Sequence, residues 1–172
     1  MTRHDYSEQD FQSLAAKFRR LGHPDPEGTA RSQLCENIDH LTPYRFMRMA
    51  WRIVVDENDP AWINGQIRDA AQNRGQSFAG IGEALARLLG IGASIDDITD
   101  LVRGMQVQFM HDLLFEMTFP STRDGGEGER AWGVVELSTD GDEPPTTAAL
   151  DGLHELVLMY DPTGREMRPR LR

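Results

Sequence analysis

His111, Asp112 and Glu116 are the residues best placed, by type and spacing, to do chemistry. Asp112 and Glu116 are four positions apart, one helical turn, so their carboxylates share a face, and His111 adjoins them. Such a group could hold a cation, pass a proton or grip a basic side chain. The plain alternative is a solvated polar strip, since carboxylates one turn apart are frequent on ordinary helices. Burial separates the two readings, because a functional pair sits in a pocket with displaced acidities.

Other chemical signatures are incomplete. Gly80-Ile81-Gly82 has Leu85 where a dinucleotide-binding loop needs its third glycine, and Gly90-Ile91-Gly92 lacks the Lys-Ser/Thr of a phosphate loop. Both read as helix boundaries. His154-Glu155 opens like a zinc-protease helix, but Leu158 stands where the second histidine is required. Asp151 and His154 are the nearest approach to a di-iron half-site, and no mate exists for them. No catalytic residue, cofactor site or metal ligand is assigned, and a non-enzymatic role is favoured.

Charge is the stronger signal. The net charge is −10, and residues 94–166 carry 16 Asp/Glu against 4 Lys/Arg. That field repels polyphosphate and anionic membrane and favours a basic protein partner. Asp124, Glu127, Glu129, Asp140, Asp142 and Glu143 are the expected contact carboxylates, with Trp132 as an apolar anchor. Acidity also serves solubility alone. Arg45, Arg48 and Arg52 form a row at steps of three and four among aromatic residues, a pattern that can grip nucleic acid. In so acidic a chain, pairing within the fold is the expected use. The segments around Ala86, Gly90 and Ile91 have the outline of a helix-turn-helix. The second helix, however, opens Ser94-Ile95-Asp96-Asp97, adds Asp100, and has no basic residue before Arg103, so nucleic-acid binding is not expected.

The elements that must position these residues are mostly helices. The stretch 94–119 carries Ile95, Ile98, Val102, Met105, Phe109 and Leu113 at helical spacing, with Leu101, Val107, Met110, Leu114 and Met117 on a second side. Apolar on two sides, it is expected to be an enclosed central helix with Phe109 in the core. Ser7 with Asp10 resembles a capping box opening a first helix, whose stripe is Phe11, Leu14, Ala15, Phe18 and Leu21 and whose end is Gly22. A second helix starts near Asp25-Pro26 or Thr29, with Ala30, Leu34, Ile38 and Leu41 inward. A third runs from Thr42 to about Glu57, a fourth from Asp59-Pro60 to Gly75, and a fifth from Ser77 to Leu89 with Phe78, Ile81, Leu85 and Leu88 as its stripe.

Residues 121–131 are Gly-rich and charged, an exposed connection. Trp132 to Leu137 reads as a short strand, and Leu153 to Tyr160 keeps both helical and extended patterns, with helix preferred. Asp161-Pro162-Thr163-Gly164 is a turn. The expected architecture is a mostly α bundle of about six helices around 94–119 (residues 1–120), an exposed loop (121–131), and a small mixed α/β segment (132–172) packed on the bundle. With one cysteine, no signal-like start and no membrane-length apolar run, a cytoplasmic location is expected. The expected function is an acidic protein-binding module, in its concrete form an inhibitor or immunity-type protein covering a basic site. The alternatives are a small-molecule enzyme or sensor beside His111, Asp112 and Glu116, or a homo-oligomeric structural subunit.

Overall fold

The computed structural model describes residues 6–118, 133–137 and 149–170. They form seven helices: α1 (Glu8–Arg20), α2 (Pro26–Glu36), α3 (Leu41–Trp51), α4 (Ala61–Gln72), α5 (Ala79–Gly90), α6 (Ile95–Thr118) and α7 (Leu153–Met159). The chain is thus mostly helical, as its periodicity predicts. No strand occurs among the described residues, which corrects the expected mixed C-terminal segment. Val134 makes a single antiparallel bridge with Leu150, whose N–H donates to the Val134 carbonyl at 2.7 Å. One bridge fixes no register, and the extended pattern of Val134, Val135 and Leu137 finds no second ladder there.

Local chemistry sets several ends. Ser7 caps α1: its hydroxyl accepts from the Asp10 N–H at 3.1 Å, and its own N–H donates to the Asp10 carboxylate at 3.2 Å. At the other end Gly22 takes φ +73°, and the His23 N–H reaches back to the Phe18 carbonyl at 3.0 Å. Asp25 caps α2 through the Gly28 N–H at 2.9 Å. That helix stops at Glu36 because Asn37 turns left-handed at φ 55°, so Ile38, expected inside, is half-exposed. Helix α3 likewise ends at Trp51, six residues earlier than its aromatic run implies.

Packing falls into three clusters, two of which share α6. Phe11, Leu14, Ala15 and Phe18 of α1 bury against Ala30 of α2 and Tyr44 of α3. Ile63 of α4, Leu85 of α5 and Ile98 of α6 make a second cluster. The largest contains Met47, Trp51 and Val54, Val107 and Leu114 of α6, and Leu153 and Val157 of α7. Tyr160 packs against both this cluster and the first. Helix α6 therefore spans two clusters, but it is not enclosed. Its buried line is Ile98, Thr99, Arg103, Val107 and Leu114, whereas Leu101, Met105, Phe109 and Leu113 are exposed. Placing Phe109 in the core is wrong: it is 69% exposed.

Helix α5 shows a related correction. Of its expected stripe only Leu85 is buried; Phe78, Ile81 and Leu88 are exposed, and the face toward α4 is Ala79, Gly82 and Leu85. Gly82 is not a boundary but a contact inside the helix. A Cβ there would lie 2.2 Å from the Gln66 carbonyl oxygen and 2.6 Å from the Ala70 Cβ, so the absent side chain lets α4 and α5 approach. Gly82→Ala is expected to cost about 1–3 kcal/mol through overpacking. Gly104, in mid-α6 with open space around it, should respond oppositely: Gly104→Ala should gain about 0.5–1 kcal/mol by restricting the unfolded chain. Denaturant midpoints of the two variants, moving in opposite directions, check both.

Candidate functional site

Asp112 and Glu116 are exposed on α6, and His111 is half-buried beside α7. The His111 ring nitrogen Nδ1 is 3.1 Å from the Asp112 carboxylate. His111 stacks on Phe115 at 6.4 Å and meets the buried His154 ring edge-on at 5.9 Å. No group of three or more His, Cys, Asp or Glu able to hold a metal occurs among the described residues. Asp124, Glu127, Glu129, Trp132, Asp140, Asp142 and Glu143 lie outside the described residues.

Among the described residues, the most connected polar group is one that spacing did not reveal. Arg103 is buried on α6, with its Nη1 donating to the Val55 carbonyl and its Nη2 to the Asp161 carboxylate, both at 2.8 Å. Its Nε faces Glu57 at 3.7 Å, and Trp51 lies 5.0 Å from the guanidinium. Glu57 also pairs with Arg165. Asp161 accepts further from the Thr163 N–H at 3.0 Å, the Thr163 hydroxyl at 2.9 Å and the Met167 N–H at 3.0 Å. Burial pushes the Asp161 carboxyl up. The Thr163 and Met167 backbone donors, the Thr163 hydroxyl and the Arg103 charge outweigh that, and it settles below its ordinary 3.8. This network ties α3, α6 and the segment after α7 together, a structural task. The one available signal was Arg103 itself, four residues before Val107 on what proves to be the buried line.

Concave surfaces border α3 on both sides. Between α3 and α6 lies a groove of about 290 Å³, lined by Phe46, Met49, Ala50, Ile53, Val54, Gln106, Phe109, Met110, Leu113 and Leu114. Gln106 is its one polar side chain, and that amide is engaged, accepting from the Val55 N–H at 2.9 Å. Met49, Ile53, Phe109 and Leu113 are exposed along it, and the Leu101, Met105, Phe109 and Leu113 ridge continues it along α6. On the other side of α3 a cleft of about 430 Å³ opens between the α1–α2 turn and the residues after α7, walled by Tyr44, Trp51, Met159 and Tyr160. Arg48 and Arg52 reach this cleft, whereas Arg45 pairs with Glu136 at 2.7 Å. All three arginines are exposed, and the row is split by pairing: Arg45 has an ion-pair partner within the chain, whereas Arg48 and Arg52 reach the cleft.

Comparison with protein-family models, with characterised proteins and with solved structures finds no match to this chain. No helix among the described residues is long and apolar enough to cross a membrane.

Proposed function

We infer that this protein is a binding module that takes an amphipathic, basic helix of a partner protein into the α3–α6 groove. The observation that carries the reading is the uncovered apolar surface of Met49, Ile53, Leu101, Met105, Phe109 and Leu113. Exposed apolar side chains are ordinarily scattered singly, whereas these follow α6 and the facing end of α3, and an apolar run of that kind marks an interaction site. A channel between two helices accepts a third as its natural filler, and methionine-rich walls adapt to different side chains.

Charge selects the occupant. The chain carries −10, and exposed Asp112 and Glu116 follow the apolar ridge on α6. A second copy would bring −10 against −10, whereas lysines flanking an apolar helix face would find complementary carboxylates. An inhibitor or immunity-type protein that covers a basic site is the concrete form of this function, with the groove as its anchor and the acidic half as its steering field.

The test uses the whole chain with two synthetic amphipathic helices, both leucine-faced, one with lysine and one with glutamate on the outer side. The lysine peptide should bind, weaken as salt is raised, and lose tenfold or more in affinity with Phe109→Asp. Equal binding of both peptides, or binding of neither, overturns the reading. A dimer in sedimentation that Phe109→Asp dissociates would make the face self-associating instead. A large loss of thermal stability in Phe109→Asp would place the side chain against the protein's own chain and also overturn it.

A further inference from the structure

We propose that the cleft on the opposite side of α3 binds a small organic anion with a flat aromatic body, its charge held between Arg48 and Arg52. The cleft volume of about 430 Å³ suits such a molecule. Its walls are rings: Tyr44 and Tyr160 stand edge-to-face at 4.9 Å, and Trp51 closes the floor. Arg48 and Arg52 are one turn apart on the last turn and cap of α3, and no carboxylate among the described residues pairs with either. Arg45, in the same row, is paired, so the two guanidiniums that reach the aromatic cleft are the ones left available.

Backbone geometry shapes the cleft around one of them. Gly22 holds φ +73°, and a Cβ there would lie 3.3 Å from the Arg48 Nη1, so the α1–α2 turn comes down beside the guanidinium. Burial pushes the Tyr44 and Tyr160 hydroxyls up and pulls His23, 4.5 Å from the Tyr44 ring, down. The aromatic wall is therefore neutral near pH 7, and the arginines supply its charge. The carbonyl end of α3 works against an anion, and two guanidiniums one turn apart offset it. A second cleft of about 650 Å³ adjoins through Trp51, Arg52 and Pro162, and its Asp56 and Glu57 disfavour an anion there.

A carboxylate and a phosphate share this recognition chemistry, since guanidinium forks suit both. Calorimetric titration of the whole chain with two matched pairs of probes separates them: 2-naphthoate against 2-naphthalenemethanol, and adenosine monophosphate against adenosine. At least one anion should bind about tenfold more tightly than its neutral partner, the worth of one charge-assisted contact pair. Preference confined to 2-naphthoate assigns a carboxylate, preference confined to the nucleotide assigns a phosphate, and preference in both assigns anions of either kind. Arg48→Gln with Arg52→Gln should abolish the preference, and Arg45→Gln should leave it intact. If the double variant melts early, the single Arg48→Gln variant should still lose most of the preference. Equal affinity for anion and neutral partner in both pairs overturns the proposal, as does a preference that survives the arginine substitutions. The outcome is independent of the peptide test, because the cleft and the groove lie on different sides of α3.

Discussion

Replacing Arg103 with alanine is expected to lower folding stability by about 3–5 kcal/mol, the loss found when one member of a buried ion pair is removed. The cost comes from what remains. Asp161 would keep its burial without its cation, Glu57 would retain only Arg165, and the Val55 carbonyl would lose its donor. A paired removal with Asp161→Leu should not restore stability as it does for isolated ion pairs, because the same carboxylate also receives the Thr163 and Met167 N–H groups. The acid limb gives a second readout. Asp161 is held below its ordinary 3.8, so its contribution is complete above that pH and is lost as pH falls through the lowered folded value. Without the Arg103 charge the folded value rises, and acid unfolding should begin at higher pH. Urea unfolding of Arg103→Ala at neutral and acidic pH measures both; a loss below about 1 kcal/mol at neutral pH would make the network dispensable.

Helix existence was legible here and helix orientation was not. Ser7 with Asp10, Gly22 and Asp25-Pro26 are local signals, decided by atoms within a few residues, and each marks an end where expected. The stripe Phe11, Leu14, Ala15 and Phe18 was also readable, because α1 has charged or polar residues on its remaining sides. Helix α6 has apolar residues on nearly every side, so periodicity alone selects no face. The true inner line includes Arg103, which apolarity rules exclude, and its burial is tolerated through Asp161, 58 positions away. Helix α5 misled for a related reason: Gly82 and Ala79 carry little hydrophobic signal, yet small size is what lets α4 approach. The arginine row was recognisable as a feature. Which members it leaves unpaired depends on Glu136, which lies 91 positions from Arg45.

The contrast between two phenylalanines tests this account directly. Phe18 is fully buried between α1, α2 and α3, with the Tyr44 ring at 6.1 Å and the His23 ring at 5.2 Å, so Phe18→Ala should empty a large site and cost about 3–5 kcal/mol. Phe109 sits on a helix that looks more hydrophobic in sequence, yet 69% of it faces solvent, and Phe109→Ala should cost less than about 1 kcal/mol. Chemistry is identical in the two substitutions, so the difference isolates burial. Exposure also predicts the opposite ranking for binding: Phe109→Ala should weaken a helical peptide in the α3–α6 groove while leaving the melting temperature nearly unchanged. Chemical denaturation of both variants, followed by peptide titration of Phe109→Ala, gives the comparison. Similar stability losses at the two positions would mean that α6 is enclosed after all, and the apolar surface on which the binding function rests would not be available to a partner.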